Sequence, residues 1–256
     1  MFRFWLEFPP AYVLLWLLAI FAASGLLIHW LCCRSRFSGR IRQCTLATPF
    51  ISSIAVLFAL FLGFLLANAI SQKNRAFQAV QTESTALLVL NGQREAMLAQ
   101  TGAIREAIFD YAQAVVSDEW PQLQEGRSSP KAEAALFALI RLLAGRDTLD
   151  AVGSSNHGKM LALAEKVADA RSDRIAIVTS HPERLVWPAL FLLGVLTQLA
   201  ISMVHLDCVR TNAVALSLFS LSAVIALWLI AIQENPFRGR VGVPPEPIAR
   251  VIAAVR

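Results

Sequence analysis

Residues 46–70 read LATPFISSIAVLFALFLGFLLANAI, a stretch that contains no charged side chain. A helix needs about 20 predominantly apolar residues to cross the roughly 30 Å hydrocarbon core of a bilayer. This stretch is long enough and apolar enough to meet that requirement. It therefore predicts a transmembrane helix, with regions of more ordinary polarity after it.

Three further apolar blocks resemble it, at about 11–33, 185–206 and 212–232. Hydrophobic residues make up 56% of the chain and charged residues only 16%, whereas a soluble domain carries about 25% charged residues. The connection at 207–211 leaves room only for a tight turn, so the last two blocks predict an antiparallel hairpin. The sequence thus predicts an all-α membrane protein with four transmembrane helices and a helical extramembrane domain between the second and the third.

The predicted division of the chain follows these blocks. It consists of a transmembrane hairpin at 1–70, the helical extramembrane domain at 71–184, a second transmembrane hairpin at 185–233, and an interfacial C-terminal tail at 234–256. The second membrane helix is expected to continue into the domain, because no glycine or proline interrupts residues 68–91.

Helical periodicity predicts which side chains of the domain are buried. On the continuing second helix the apolar stripe consists of Phe77, Val80, Leu87 and Leu88. On the next helix, at about 94–116, it consists of Ile104, Ile108, Tyr111 and Val115. The last helix of the domain, at about 159–180, carries charges that predict a solvated face: Glu165, Lys166, Asp169, Arg171, Asp173 and Arg174.

The second membrane block carries two patterns that bear on function. Small residues recur every four positions at Ala55, Ala59, Gly63 and Ala67, and such a face lets membrane helices approach closely. Elsewhere on the same helix lie Phe58, Phe61 and Phe64. These phenylalanines either face lipid and pack against neighbouring helices, or form a hydrophobic constriction of a pore, which can gate by dewetting. In the third block, Gln198 predicts interhelical hydrogen bonding or a part in permeation.

Several classes of function lack their motifs in this chain. There is no glycine-rich phosphate loop, no GxSxG and no HExxH, so the sequence predicts no enzyme, no catalytic residue and no cofactor. Four cysteines occur without metal-ligand spacing, so no metal site is predicted. The net charge of +5 comes with arginines that flank apolar blocks, which favours contact with the lipid bilayer over nucleic acid.

Two short motifs carry a family resemblance. The first runs from Tyr111 to Glu119, Trp120 and Pro121. Pro121 is expected to end a helix and Glu119 can pair with an arginine of a neighbouring helix or subunit, so the motif either anchors a helix end or takes a direct part in permeation or sensing. The second follows the last membrane helix and consists of Asn235, Pro236, Phe237 and Gly239. With the two-plus-two membrane layout, they resemble the bacterial bestrophin-like domain family, which is distantly similar to bestrophin channels.

The resemblance implies a function. Bestrophins are pentameric ion channels whose second helix lines the pore, so inorganic ions become the expected ligands and a homo-oligomer, a pentamer by resemblance, the expected assembly. Anion conduction would follow the distant relatives only. Where animal bestrophins place an acidic calcium clasp, this chain has Arg238-Gly239-Arg240, so a clasp of carboxylates is not expected. The alternative is a non-conducting membrane sensor or scaffold module that acts through a partner.

Four spans place both termini and the domain on the same side of the membrane. The first loop, at 34–42, holds four arginines and no acid, which is typical of a cytoplasmic loop, but the opposite side carries a comparable number of basic residues near the membrane ends. Charge therefore leaves the orientation open. The resemblance implies a bacterial inner membrane protein whose domain is cytoplasmic.

Overall fold

The computed structural model describes residues 9–33, 48–95, 102–179, 186–206, 208–239 and 242–256, which contain helices and no strand. The arginine-rich first loop at 34–42, whose charges bear on the membrane orientation, lies outside the described residues. The helices are α1 (Pro10–Cys33), α2 (Thr48–Glu95), α3 (Gly102–Ala114), a π-helical turn (Val115–Glu119), α4 (Trp120–Gln124), α5 (Pro130–Leu143), α6 (Arg146–Val152), α7 (Ser154–Thr179), α8 (Val186–Val204), α9 (Val209–Ala231) and α10 (Glu246–Val255).

Four of these helices are long and apolar enough to cross a membrane, namely α1, α2, α8 and α9. This confirms the predicted all-α membrane fold. The helix α2 also runs without a break from the membrane block into the domain, as the lack of glycine and proline predicts. The chain forms two compact units: residues 1–70 with 182–234, and residues 71–181 with 235–256.

In the first unit, α1, α8 and α9 pack on one another. Leu17, Phe21, Leu190 and Leu227 are completely or almost completely buried between them. The approach of α8 to α1 is close at Gly194, where a Cβ atom would lie 2.9 Å from the Phe21 ring. A Cβ atom at position 194 would therefore force the closely packed Phe21 ring to shift.

Polar side chains inside this unit bond across helices. The Gln198 amide oxygen accepts from the Ser24 hydroxyl at 2.7 Å. Its amide nitrogen donates to the Phe21 carbonyl at 3.0 Å and to the Ser220 hydroxyl at 2.9 Å. The side chain is fully buried and its oxygen and nitrogen are both paired, which fits the structural use of Gln198, because an unpaired polar group in hydrocarbon costs several kcal/mol.

The second unit has a core built by α3, α5, α7 and α10, together with 71–95 of α2. The C-terminal helix α10 packs on α3 and buries Ile248, Val251 and Val255. The Ser84 hydroxyl of α2 donates to the Pro247 carbonyl at 2.6 Å. Residues 235–256 thus contribute apolar side chains to the core of this unit.

The buried face of α2 in this unit differs from the predicted stripe. Phe77 is 46% exposed and Leu88 is 37% exposed, while Glu83 is completely buried beside Val80 and Leu87. The prediction for Phe77 and Leu88 is wrong because it ranked positions by side-chain hydrophobicity. The core instead accepts a carboxylate that has charged partners within the same unit.

The chain stays helical through Pro121, where the sequence predicts an end. Proline lacks an N–H group and clashes with the carbonyl four residues earlier. The π-helical turn at Val115–Glu119 has wider spacing, and the Trp120 N–H bonds to the Val115 carbonyl. Pro121 then lies in the first turn of α4, where proline is tolerated. The helix ends instead near Gly126, whose φ is +81°.

Candidate functional site

The three phenylalanines of α2 occupy different environments in the first unit. Phe58 is 5% exposed and packs against Phe219, with 5.7 Å between the ring centroids. Phe61 is 46% exposed and Phe64 is 68% exposed. Phe58 therefore fixes α2 to its neighbours, whereas Phe61 and Phe64 lie on a surface that this unit leaves open.

The small residues of α2 lie mainly on its open side. Ala59, Gly63 and Ala67 are exposed and Ala55 is half-buried, and a Cβ atom on Gly63 would meet nothing within 4 Å. In the most apolar 18-residue stretch of α2, only 11% is buried inside the chain. The corresponding share is 28% in α1, 39% in α8 and 28% in α9. The second membrane helix is thus the least covered of the four.

The second unit contains a buried ionic cluster, called here the Arg174 cluster. Its members are Glu83, Tyr111, Glu119, Trp120, Arg171 and Arg174. Arg174 Nη2 donates to Glu83 Oε1 at 3.0 Å and to Glu119 Oε1 at 2.7 Å. All three side chains have no exposed surface. Since a buried ion is costly to desolvate, each charge here depends on the partner opposite.

Glu119 has a second partner in Arg171. Arg171 Nε donates to Glu119 Oε2 at 3.0 Å, and Arg171 Nη2 donates to the same oxygen at 2.5 Å. Arg171 Nη2 also donates to the carbonyl of Ser129 at 3.2 Å, and the Ser129 hydroxyl caps α5 by accepting from the Ala132 N–H at 3.1 Å. The pairing predicted for Glu119 is confirmed, with both arginines from α7 of the same chain.

Tyr111 completes the cluster on the side of α2. Its hydroxyl donates to Glu83 Oε1 at 2.5 Å. Burial raises the pKa of Glu83, and the nearby Arg174 guanidinium opposes that rise. Burial also raises the pKa of Tyr111, and the negative charge of Glu83 adds to the effect. Tyr111 is therefore a neutral donor at physiological pH.

The cluster leaves some of its hydrogen-bonding capacity unused. Glu83 Oε2, Arg174 Nε and Arg174 Nη1 are buried without a hydrogen-bond partner among the described residues. The Arg174 guanidinium carbon instead lies 5.4 Å from the centroid of the Trp120 ring, a distance at which the ring face attracts a cation. The aromatic ring supplies part of the stabilisation that hydrogen bonds do not.

The second sequence motif reaches the same place through Trp120. The rings of Trp120 and Phe237 meet edge to face, with centroids 5.4 Å apart. Asn235 Nδ2 donates to the carbonyls of Leu123 and Gln124 at the end of α4, at 3.2 and 3.1 Å. The Asn235 carboxamide oxygen accepts from the Phe237 N–H at 3.0 Å, which fixes the turn that delivers the ring.

The other two residues of this motif shape the turn. The Pro236 carbonyl accepts from the Val243 N–H at 2.7 Å, and Pro236 itself is buried. Gly239 has a φ of +76°, a conformation that side chains with a Cβ atom rarely adopt. Glycine is thus needed at this position to reverse the chain after Phe237.

The structure brings both motifs together around Arg174, a residue that sequence analysis placed on a solvated face. That placement is wrong for Arg171 and Arg174, which are 7% and 0% exposed. A signal existed, because the buried positions Met160, Ala164 and Val167 continue at helical spacing into both arginines. Glu83 was missed in the same way, since it lies within the stripe from Val80 to Leu87.

The described residues contain no group of three or more His, Cys, Asp or Glu side chains that could hold a metal ion. Of the sequence Arg238-Gly239-Arg240, the structure describes Arg238 and Gly239 only. The Arg174 cluster pairs two carboxylates with two guanidinium groups, so its charges balance internally. Its geometry fixes helices to one another and offers no open coordination position.

Comparison with known proteins identifies the family. A family model described as Bestrophin-like domain matches residues 11–248. The chain belongs to the Bestrophin-like domain family. This confirms the resemblance that the two motifs and the membrane layout indicated.

Solved structures show the same fold. The crystal structure of a bacterial bestrophin homologue from Klebsiella pneumoniae is similar with a TM-score of 0.71 and 14% identity, over 96% of each chain. A substituted form of a bestrophin homologue from the same organism gives a TM-score of 0.69 and 15% identity, over 96% of this chain and 97% of that chain. No curated protein matches the chain. At these identities the likeness establishes the bestrophin-like fold alone.

Proposed function

We propose that this protein is an oligomeric ion channel whose pore is lined by α2. The observation that carries the proposal is the uncovered, charge-free membrane stretch of α2, of which 11% is buried in the chain. Membership of the Bestrophin-like domain family supports the same function. The assembly is a homo-oligomer, a pentamer by resemblance, in a bacterial inner membrane with the domain on the cytoplasmic side.

The exposed side of α2 has two neighbouring surfaces with different properties. On an ideal helix the small residues Ala59, Gly63 and Ala67 lie about 60–140° to one side of Phe64. Small residues let a second helix approach closely, so this surface packs against α2 of the next copy. The surface around Phe64 then faces the axis of the assembly.

The phenylalanines supply a hydrophobic constriction in this arrangement. Phe61 and Phe64 are the two candidates whose rings are exposed, while Phe58 holds the helix in place through Phe219. A ring of such side chains can exclude water from a narrow pore and so close it to ions. Conduction then requires that the rings move apart or that water enters between them.

The test is current recording from purified protein in planar bilayers under a KCl gradient. Wild type is compared with Phe61→Ala and Phe64→Ala, because a smaller side chain at the constriction raises the conductance or holds the pore open. Phe137→Ala is the control, since Phe137 is 56% exposed on α5 and lies outside the membrane helices. Its currents are expected to equal those of the wild type.

Two results would count against the proposal in different ways. Unchanged currents in Phe61→Ala and Phe64→Ala would remove these residues from the constriction and leave the channel intact. Reproducible silence of the wild type, with its oligomer and fold verified, would reject the channel. The alternative, a non-conducting sensor or scaffold module that acts through a partner, would then be preferred.

A further inference from the structure

Past the membrane stretch, α2 exposes uncharged polar side chains together with Phe77, Leu88 and Val89, and it exposes almost no charge. Within 71–92 the exposed positions include hydroxyl and amide side chains at Ser71, Asn74, Gln78, Thr82 and Thr85. The acid of this stretch, Glu83, is completely buried and paired with Arg174. The surface that α2 leaves open here therefore carries no negative charge.

Arg75 supplies a positive charge on this surface. Its side chain is exposed, and no acidic residue lies within four positions of it in the sequence. It forms no salt bridge with a residue that the structure describes, in contrast to Arg171 and Arg174. An arginine without a carboxylate nearby leaves its charge and its hydrogen-bond donors available to solutes.

Helical spacing places Arg75 in line with the phenylalanine surface. Arg75 lies about three turns after Phe64 on the uninterrupted helix α2, and an ideal helix brings the two to within about 20° of the same direction. Lys73, two positions earlier, is half-buried and points about 160° away from Arg75 on the same helix. Of the two basic residues in this turn, Arg75 is the one on the surface that continues from Phe64.

We propose that Arg75 is the residue that sets the charge preference of the pore, as one positive charge contributed by each copy. This inference rests on the proposed function, since it requires α2 to surround the axis of an oligomer. A ring of unpaired guanidinium groups concentrates small inorganic anions and repels cations. The hydroxyl and amide groups beside it can replace part of the hydration shell of an anion without adding an opposing charge.

The experiment measures the chloride-to-potassium permeability ratio from reversal potentials in planar bilayers. Wild type, Arg75→Lys, Arg75→Gln and Arg75→Glu are recorded under a KCl gradient kept below about 0.1 M, because screening by salt weakens the attraction at higher concentrations. Lys73→Gln is the matched control. It removes the same charge from the same turn of α2, on the opposite side.

The expected result is a graded loss of anion preference. The wild type, Arg75→Lys and Lys73→Gln favour chloride equally. In Arg75→Gln the permeability ratio falls by more than about fivefold, because chloride loses a favourable charge contact of about 4 Å in a water-like medium, a factor of roughly five, and potassium is no longer repelled. In Arg75→Glu the ratio falls further, until potassium is favoured.

Other outcomes separate this inference from the function on which it rests. If all five proteins conduct with the same permeability ratio, Arg75 does not set the preference and the channel stands. A ratio that shifts equally in Lys73→Gln and Arg75→Gln would also reject Arg75, because it would show a general effect of net charge. A silent wild type with an intact oligomer would reject the channel and this inference together.

Discussion

The two stretches of α2 differ in which side chains they expose and which they bury. The membrane stretch exposes large apolar side chains such as Phe64, which is 68% exposed, and carries no charge. The stretch in the second unit buries the charge of Glu83 completely and exposes hydroxyl and amide groups. One helix therefore exposes apolar side chains in its membrane stretch and buries a charge in its second stretch, where that charge requires paired partners.

The largest expected effect comes from removing the central cation of the second unit. Arg174→Met leaves Glu83 and one oxygen of Glu119 buried without their charged partner. Breaking a buried ion pair in this way costs about 3–5 kcal/mol of unfolding free energy. Thermal unfolding of the purified protein, followed by circular dichroism, measures the loss.

Lys166→Met is the control for that substitution, because Lys166 is exposed on the same helix α7. An exposed substitution of this kind is expected to change the unfolding free energy by less than about 0.5 kcal/mol. Equal stability of Arg174→Met and Lys166→Met would show that the charges of the Arg174 cluster do not depend on one another.

A smaller effect is expected from crowding the first unit. Gly194→Ala places a methyl group 2.9 Å from the Phe21 ring, and overpacking of a well-packed site costs about 1–3 kcal/mol. Gly92→Ala is the matched substitution at an exposed position of α2 outside the membrane stretch, where the methyl group meets nothing within 4 Å. Thermal unfolding of the two variants in the same detergent should rank Gly194→Ala below Gly92→Ala, and the reverse order would contradict the packing described for α1 and α8.

The smallest effect concerns the titration of Glu83. Burial raises the folded pKa of Glu83 above its ordinary value of 4.5, so its contribution to stability is fully present below the ordinary value and is lost as pH rises through the raised pKa. Glu83→Gln cannot titrate. The melting temperature of the wild type should therefore fall relative to that of Glu83→Gln as pH rises from 4.5 through the raised pKa, and a difference that stays constant as pH rises would show that the folded pKa is not raised.

Hydropathy was sufficient to predict the four membrane helices, because backbone groups in lipid can pair only within a helix and the side chains around them must be apolar. Helical periodicity also predicted the buried face of α3 and of the π-helical turn after it, where Ile104, Ile108, Tyr111 and Val115 are all buried. Both signals are local, so a single stretch of sequence carries them.

The Arg174 cluster could not be predicted in the same way. Glu119 and Arg171 are separated by 52 positions in the sequence, and no local pattern shows that the two charges meet. Periodicity alone predicts that an arginine at the end of an apolar stripe is solvent-exposed, unless its partner is known. Of the cluster, the sequence predicted an arginine partner for Glu119, and the tertiary fold determined which arginines they are.

Cysteine accessibility during current recording shows whether α2 lines a pore. In a variant without the native cysteines, Phe64→Cys and Arg75→Cys should let a water-soluble thiol reagent change the current, while Phe58→Cys and Lys73→Cys should not. If α2 lines the pore, the reagent changes the current in Phe64→Cys and Arg75→Cys alone. An unchanged current in Phe64→Cys and Arg75→Cys, with labelling of the introduced cysteines verified, would contradict a pore lined by α2.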